Sequence, residues 1–117
     1  MIRLFSKREE SPAVHPPVSA VVVAAGGSTR MGVPKQMIPL RGIPVIVRTL
    51  QALDRAGLVD EIVLVARQED MLPFYTLCKQ YEVGKVSAIV PGGATRQQSV
   101  AAGVAAARPN AAYYAIH

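Results

Sequence analysis

The chain is predicted to be an α/β domain: a mainly parallel sheet with helices on both faces. Three observations predict it. Short apolar runs rich in Val and Ile recur along the chain, segments with helical periodicity separate them, and glycine or polar residues close most of the runs. Strands alternating with helices imply right-handed βαβ crossovers, which place strands in parallel and cover the sheet. With 117 residues, half of them hydrophobic, the chain can bury one core of modest size and no second one.

In chain order, Met1 to about Pro17 is polar, and Pro12, Pro16 and Pro17 discourage regular structure, so this stretch is expected to be a flexible extension. The domain is expected to run from Val18 to His117. Buried strands are predicted at about Ser19–Ala24, Glu61–Ala66, Val86–Val90 and Tyr113–Ile116. A first helix over about Pro44–Ala56 has Pro at its opening, apolar Ile46, Leu50 and Leu53 on one stripe, and Gly57 as its stop. A second, over about Glu69–Tyr81, opens with two acids that suit the positive end of a helix, which assigns Glu69 and Asp70 to capping. A third, over about Thr95–Ala107, has Thr95 as its cap, Gly103 where close packing on the sheet is needed, and Pro109 beyond its end.

The formal charge of +5 suggests an anionic partner. Nucleic acid is not expected: the cations are scattered, there are four Tyr, two Phe and no Trp, and no helix-turn-helix, zinc or single-strand-binding signature is present. No apolar run is long enough for a membrane helix, and the charged amino terminus lacks the apolar core of an export signal, so a cytoplasmic location is expected. The single cysteine, Cys78, is expected to pack as a small hydrophobe. All eight carboxylates lie at or before Glu82.

The chemical centre is predicted at Val21-Val22-Val23-Ala24-Ala25-Gly26-Gly27-Ser28-Thr29-Arg30-Met31-Gly32-Val33-Pro34-Lys35-Gln36. A buried strand leads into small residues whose backbone N–H groups an anion can approach, and Arg30 and Lys35 add charge-assisted donors for phosphate oxygens. A Walker A loop is excluded because Val33-Pro34 stands where Lys-Ser/Thr belongs. A dinucleotide fingerprint is disfavoured by Ser28 at the second glycine position and by Pro34 in the expected helix. Without the two cations the glycines would read as an ordinary βα turn.

A second segment, Pro91-Gly92-Gly93-Ala94-Thr95-Arg96-Gln97-Gln98-Ser99-Val100, repeats the order of strand, paired glycines and polar helix start. Its backbone is suited to lie against a base or ribose, with the Ser99 hydroxyl on a base edge; taken alone it too reads as a capped turn. Both loops and His117 fall at the carboxyl edge of the sheet, where such folds bind ligands. Asp60 and Glu61 begin a strand at the opposite edge and are expected to be solvated charges. His117 is given no role, since a terminal residue frays.

Ala24-Ala25-Gly26 through Arg30-Met31, then Pro34-Lys35-Gln36, with Gly92-Gly93, Arg96, Ser99-Val100 and Gly103, resembles the 2-C-methyl-D-erythritol 4-phosphate cytidylyltransferases over about Val18 to His117. The resemblance implies a Rossmann-like nucleotide-diphospho-sugar transferase fold, incomplete at its carboxyl end. It implies transfer of CMP from CTP to methylerythritol phosphate in non-mevalonate isoprenoid synthesis, with Mg²⁺ on the nucleotide. By the same resemblance Arg30 and Lys35 match transition-state stabilisers, and Ala24, Ala25, Gly26, Gly27, Gly93 and Ser99 match nucleotide-binding positions. The chain departs from the family at Val23, Ser28 and Ala94, where Pro, Gly and Asp are frequent, and the last departure bears on cytosine selection. It also stops one residue before an Asp-x-x-Arg-Pro element whose aspartate binds the metal. Members are longer; the remainder supplies cations for the acceptor phosphate and the arm through which two subunits associate. The isolated chain is therefore expected to be inactive or nearly so. Alternatives are a ribitol 5-phosphate cytidylyltransferase, a molybdopterin guanylyltransferase sharing the first loop alone, and a non-catalytic nucleotide-binding remnant or half of a split protein.

Overall fold

The computed structural model describes residues 1–3, 17–26, 29–30 and 33–117 of the chain. Strands β1 (Ile2–Arg3), β2 (Val18–Ala24), β7 (Glu61–Ala66), β8 (Val86–Pro91) and β9 (Tyr113–Ile116) form one sheet in the order β1-β8-β7-β2-β9. Four of them run parallel, and β1 joins the edge antiparallel through Ile2↔Ile89 and Arg3↔Ala88. A strand at the start of the segment read as an extension had no pattern to announce it. Two short ladders lie outside this sheet, β3 (Thr29–Arg30) with β4 (Val33–Pro34), and β5 (Pro39–Leu40) with β6 (Ile43–Pro44). Arg41 at φ 54° and Gly42 at φ 81° turn the second of these, as a two-residue hairpin with both central residues left-handed requires.

Helices α1 (Val45–Arg55) and α2 (Met71–Gln80) cover one face, and α3 (Arg96–Ala106) covers the other. Alternation along the strands divides the core accordingly. Ala20, Val22 and Ala24 of β2 and Ile62, Leu64 and Ala66 of β7 pack with Ile46, Leu50 and Phe74, whereas Val21, Val63 and Val65 pack under α3. Cys78 lies buried in the first cluster, where burial pushes its thiol up to about 11. From β2 the chain moves outward through β7 to β8, then returns across the other face to β9 on the far side of β2. The order therefore reverses between β2 and β9, and the first glycine segment leaves the sheet at that switch point.

Glu61 is not a solvated charge. It is 2% exposed, its Oε1 accepts from Ser19 Oγ at 2.6 Å and from the Arg108 N–H at 2.7 Å, and its Oε2 accepts from Ser87 Oγ at 2.6 Å. The carboxylate thus joins β2, β7, β8 and the exit of α3, and Arg108 Nε lies 3.8 Å away as the partner of its charge. Asp60 likewise accepts the Val18 N–H at 2.8 Å. Tyr113–Ile116 forms the expected strand but is exposed along its whole length, because β9 is an edge of the sheet and packs chiefly against β2. Beyond it His117 does not fray: its N–H donates to Val21 O at 2.9 Å and its carbonyl accepts from the Val23 N–H at 3.0 Å.

Gly103 sets the distance between α3 and the sheet. A Cβ there would lie 2.3 Å from Val21 Cγ1 and 2.9 Å from Val65 Cγ2. In an exposed helix Gly→Ala gains about 1 kcal/mol, but overpacking against two β-branched core residues costs about 1–3 kcal/mol and dominates here. Gly103→Ala is therefore expected to lower the urea midpoint of unfolding; an unchanged or raised midpoint would show that α3 has room to move outward.

Candidate functional site

The second glycine loop is held almost entirely by its own hydrogen bonds. The Gly92 N–H donates to Ala66 O at 2.9 Å, continuing the β7–β8 ladder by one step. The Gly93 N–H donates to Ser99 Oγ at 3.2 Å, and those of Ala94 and Thr95 donate to Gln98 Oε1 at 2.7 and 3.3 Å. In return, Thr95 Oγ1 accepts the Gln98 N–H at 3.1 Å, so Thr95 caps α3 in a reciprocal capping box. Three successive loop donors are thus satisfied internally. This loop can shape a wall but is not a phosphate cradle, which needs free N–H groups.

Both loops meet over the end of β7. A Cβ on Gly92 would lie 2.4 Å from Ala25 Cβ, 2.8 Å from Ser99 Oγ and 3.3 Å from Val65 Cγ1. Gly92 is therefore the residue whose lack of a side chain lets the first loop close on the second. Ala24 ends β2 in register with Ala66, Ala25 follows half-buried, and Gly26 is exposed with nothing within 4 Å of its Cβ position. Gly27 lies outside the described residues, as do the side chains of Arg30 and Lys35. The backbone of both is placed: Arg30 pairs with Val33 across the β3–β4 ladder, and Lys35 opens the 3₁₀ turn Lys35–Met37 directly after Pro34. Pro34 stands level with Thr29, so the backbone reverses between the two cations.

Ser99 is 2% exposed, so its hydroxyl positions Gly93 rather than standing free at the surface. Asp70 does not cap α2. Its Oδ2 accepts from Arg67 Nε at 2.8 Å, a hydrogen bond that raises the Arg67 guanidinium above its ordinary value and keeps it charged. The sequence reading missed this pair; an arginine placed immediately after a strand, at the carboxyl edge, was the available signal. Among the described residues no group of three or more His, Cys, Asp or Glu is arranged to hold a metal ion.

The family model for 2-C-methyl-D-erythritol 4-phosphate cytidylyltransferase matches residues 18–117. The chain is 42% identical over 103 residues to the 2-C-methyl-D-erythritol 4-phosphate cytidylyltransferase of Symbiobacterium thermophilum, covering 86% of this chain and 42% of that protein. Against the protein of the same name from Pelotomaculum thermopropionicum the identity is 39%, covering 86% and 43%. Among solved structures, the 4-diphosphocytidyl-2C-methyl-D-erythritol synthase of Anaerococcus prevotii superposes with a TM-score of 0.74 at 30% identity, covering 87% of this chain and 42% of that one. The chain thus spans less than half the length of these relatives and shares their Rossmann-like nucleotidyltransferase fold.

If Ser99 Oγ holds the Gly93 turn, Ser99→Ala leaves a partly buried N–H unpaired. It is expected to cost about 1–3 kcal/mol of stability and to speed amide exchange at Gly93 ahead of the core strands. Unchanged exchange at Gly93 would show that the bond does not order the loop.

Proposed function

The chain belongs to the 2-C-methyl-D-erythritol 4-phosphate cytidylyltransferase family, and on that premise we propose that it carries the CTP-binding part of an enzyme transferring CMP to 2-C-methyl-D-erythritol 4-phosphate. One observation carries the proposal: two glycine loops, distant in sequence, close on one another at the carboxyl edge, with Ala25 against Gly92 and Ser99. The second loop, its donors already used, supplies a wall for the uncharged base and ribose. The first, with Ala24, Ala25, Gly26 and Gly27 and the cations Arg30 and Lys35, takes the triphosphate.

The reaction suits such a site. An oxygen of the acceptor phosphate attacks the α-phosphorus of CTP, the new P–O bond forms as the bond to the β-phosphate oxygen breaks, and pyrophosphate leaves with the electron pair. The nucleophile is already an anion, so no proton has to be removed. What is needed is alignment and neutralisation of charge on the equatorial and leaving oxygens, the role given to Arg30 and Lys35. Mg²⁺ accompanies the triphosphate in this reading, but the described residues do not fit a metal site of their own, since Asp70 is committed to Arg67 and no three or more His, Cys, Asp or Glu are gathered among them. No step is therefore assigned to the ion. Recognition of the acceptor and association of two subunits belong to the full-length enzyme. No described helix is long and apolar enough to cross a membrane, and the reading takes the enzyme as cytoplasmic, acting on water-soluble phosphates.

Thermal unfolding with Mg²⁺ and each of CTP, GTP, UTP and ATP tests the reading. A ligand at a hundred times its Kd stabilises the folded state by about 2.7 kcal/mol, so CTP is expected to raise Tm more than the others, and Arg30→Ala or Lys35→Ala to diminish the shift. A shift with GTP alone would contradict the cytidylyltransferase reading in favour of a guanylyltransferase.

A further inference from the structure

We propose that Arg48, near the start of α1, is a positioning residue for the phosphate site: it fastens the β5–β6 hairpin to the helix and thereby fixes the turn that carries Lys35. The proposal rests on the reading above, in which Lys35 takes the triphosphate. It goes beyond that reading by naming the residue that sets where this cation stands.

The segment between Lys35 and α1 is short and is tied down at each step. Lys35 opens the 3₁₀ turn, and Met37, at the end of that turn, packs against the core cluster that contains Ile46, Val47 and Leu50 of α1, as Ile43 does from β6. Ile38 O accepts the Val45 N–H at 3.0 Å, which joins the residue after the turn to the first residue of the helix. Pro39 and Leu40 pair with Pro44 and Ile43. Arg48 Nη2 then donates to Leu40 O at 3.0 Å, reaching back from the helix onto the first strand of the hairpin. With that strand held, the backbone of the turn directly before it is held as well.

Two features of this fastening are unfavourable for folding. Arg48 is half-buried, and its Nε is fully buried with no hydrogen-bond partner among the described residues. A guanidinium stays charged, and a donor buried without an acceptor gives up its bonds to water for nothing. An unbranched apolar side chain would fill the same space without that loss. The hairpin adds the second feature, since Arg41 stands at φ 54°, in the left-handed region that Asn or Gly occupies more readily. Unfavourable local structure persists only where its surroundings impose it, and it concentrates at functional sites. Here the structure so imposed is the one that follows directly on the Lys35 turn.

Binding of inorganic tripolyphosphate and of cytidine to the whole chain tests the assignment, with Arg48→Met made in the wild-type and Lys35→Ala backgrounds and the urea midpoint measured for each variant. Methionine keeps the apolar stem and removes both the bond to Leu40 O and the buried unpaired donor. Arg48→Met is expected to weaken tripolyphosphate by about fivefold, the net worth of one hydrogen bond, and to leave cytidine unchanged. It should unfold at the wild-type urea midpoint or above it, and it should cause no further loss of tripolyphosphate once Lys35 is replaced. Arg48→Lys, which keeps a donor for Leu40 O, should bind tripolyphosphate more tightly than Arg48→Met. Wild-type tripolyphosphate affinity in Arg48→Met would overturn the proposal, as would a loss that persists in the Lys35→Ala background, which would make Arg48 a phosphate ligand in its own right. A marked fall in the urea midpoint would also overturn it, by making Arg48 a support of the fold as a whole. A Lys35→Ala chain that binds tripolyphosphate as the wild type does would instead overturn the triphosphate reading of Lys35, and the role of Arg48 with it.

Discussion

Helix α3 lies closer to the sheet than any side chain at Gly103 would permit, and the geometry of the site follows from that approach. With Val21 Cγ1 only 2.3 Å from the position a Cβ would take, α3 rests directly on β2 and β7. Its amino terminus then brings Ser99 under Gly93 and beside Gly92, where Ala25 arrives from the other loop. At its far end the Arg108 N–H is anchored on the buried Glu61 carboxylate. The helix is thus fixed at three points: a missing side chain in the middle, a hydroxyl at one end and a carboxylate at the other.

Hydrogen-bond accounting then separates the two loops, although their sequences look alike. Each follows a strand and carries paired glycines. The second has spent its donors on Ser99 and Gln98, which makes it rigid and unsuited to phosphate. The first runs instead into the β3–β4 ladder, which holds Arg30 opposite Val33 and leads from Pro34 into the turn at Lys35. One loop is a preformed wall, and the other carries the charge. A nucleotide, apolar and flat at one end and polyanionic at the other, matches that division.

Much of this was legible in the sequence where local chemistry decides local structure. The continuous apolar run within Glu61–Ala66 and the polar break after it defined β7, Thr95 marked the cap of α3, and Gly103 marked close packing. The errors share a physical cause, since each concerned a polar or edge group whose surroundings are set by a specific partner or by what covers it, not by its own composition. Glu61 looked like a charge at a strand's start, and only its register with Ser19, together with Ser87 on the next strand, shows why it is buried. Asp70 had the composition of a helix cap but found Arg67 first. Tyr113–Ile116 had the composition of a buried strand, yet burial depends on what covers it, and here it stands at an edge.

The central claim is that the two loops form one ligand site, and an NMR titration of the isotopically labelled chain with CTP addresses it most directly. The account predicts that the amides of Ala25 and Gly26 and those of Gly92 and Gly93 shift together and saturate along a single binding curve, while the Arg108 amide on Glu61, at the opposite edge, stays still. Shifts confined to one loop, or two loops that saturate at different concentrations, would contradict it.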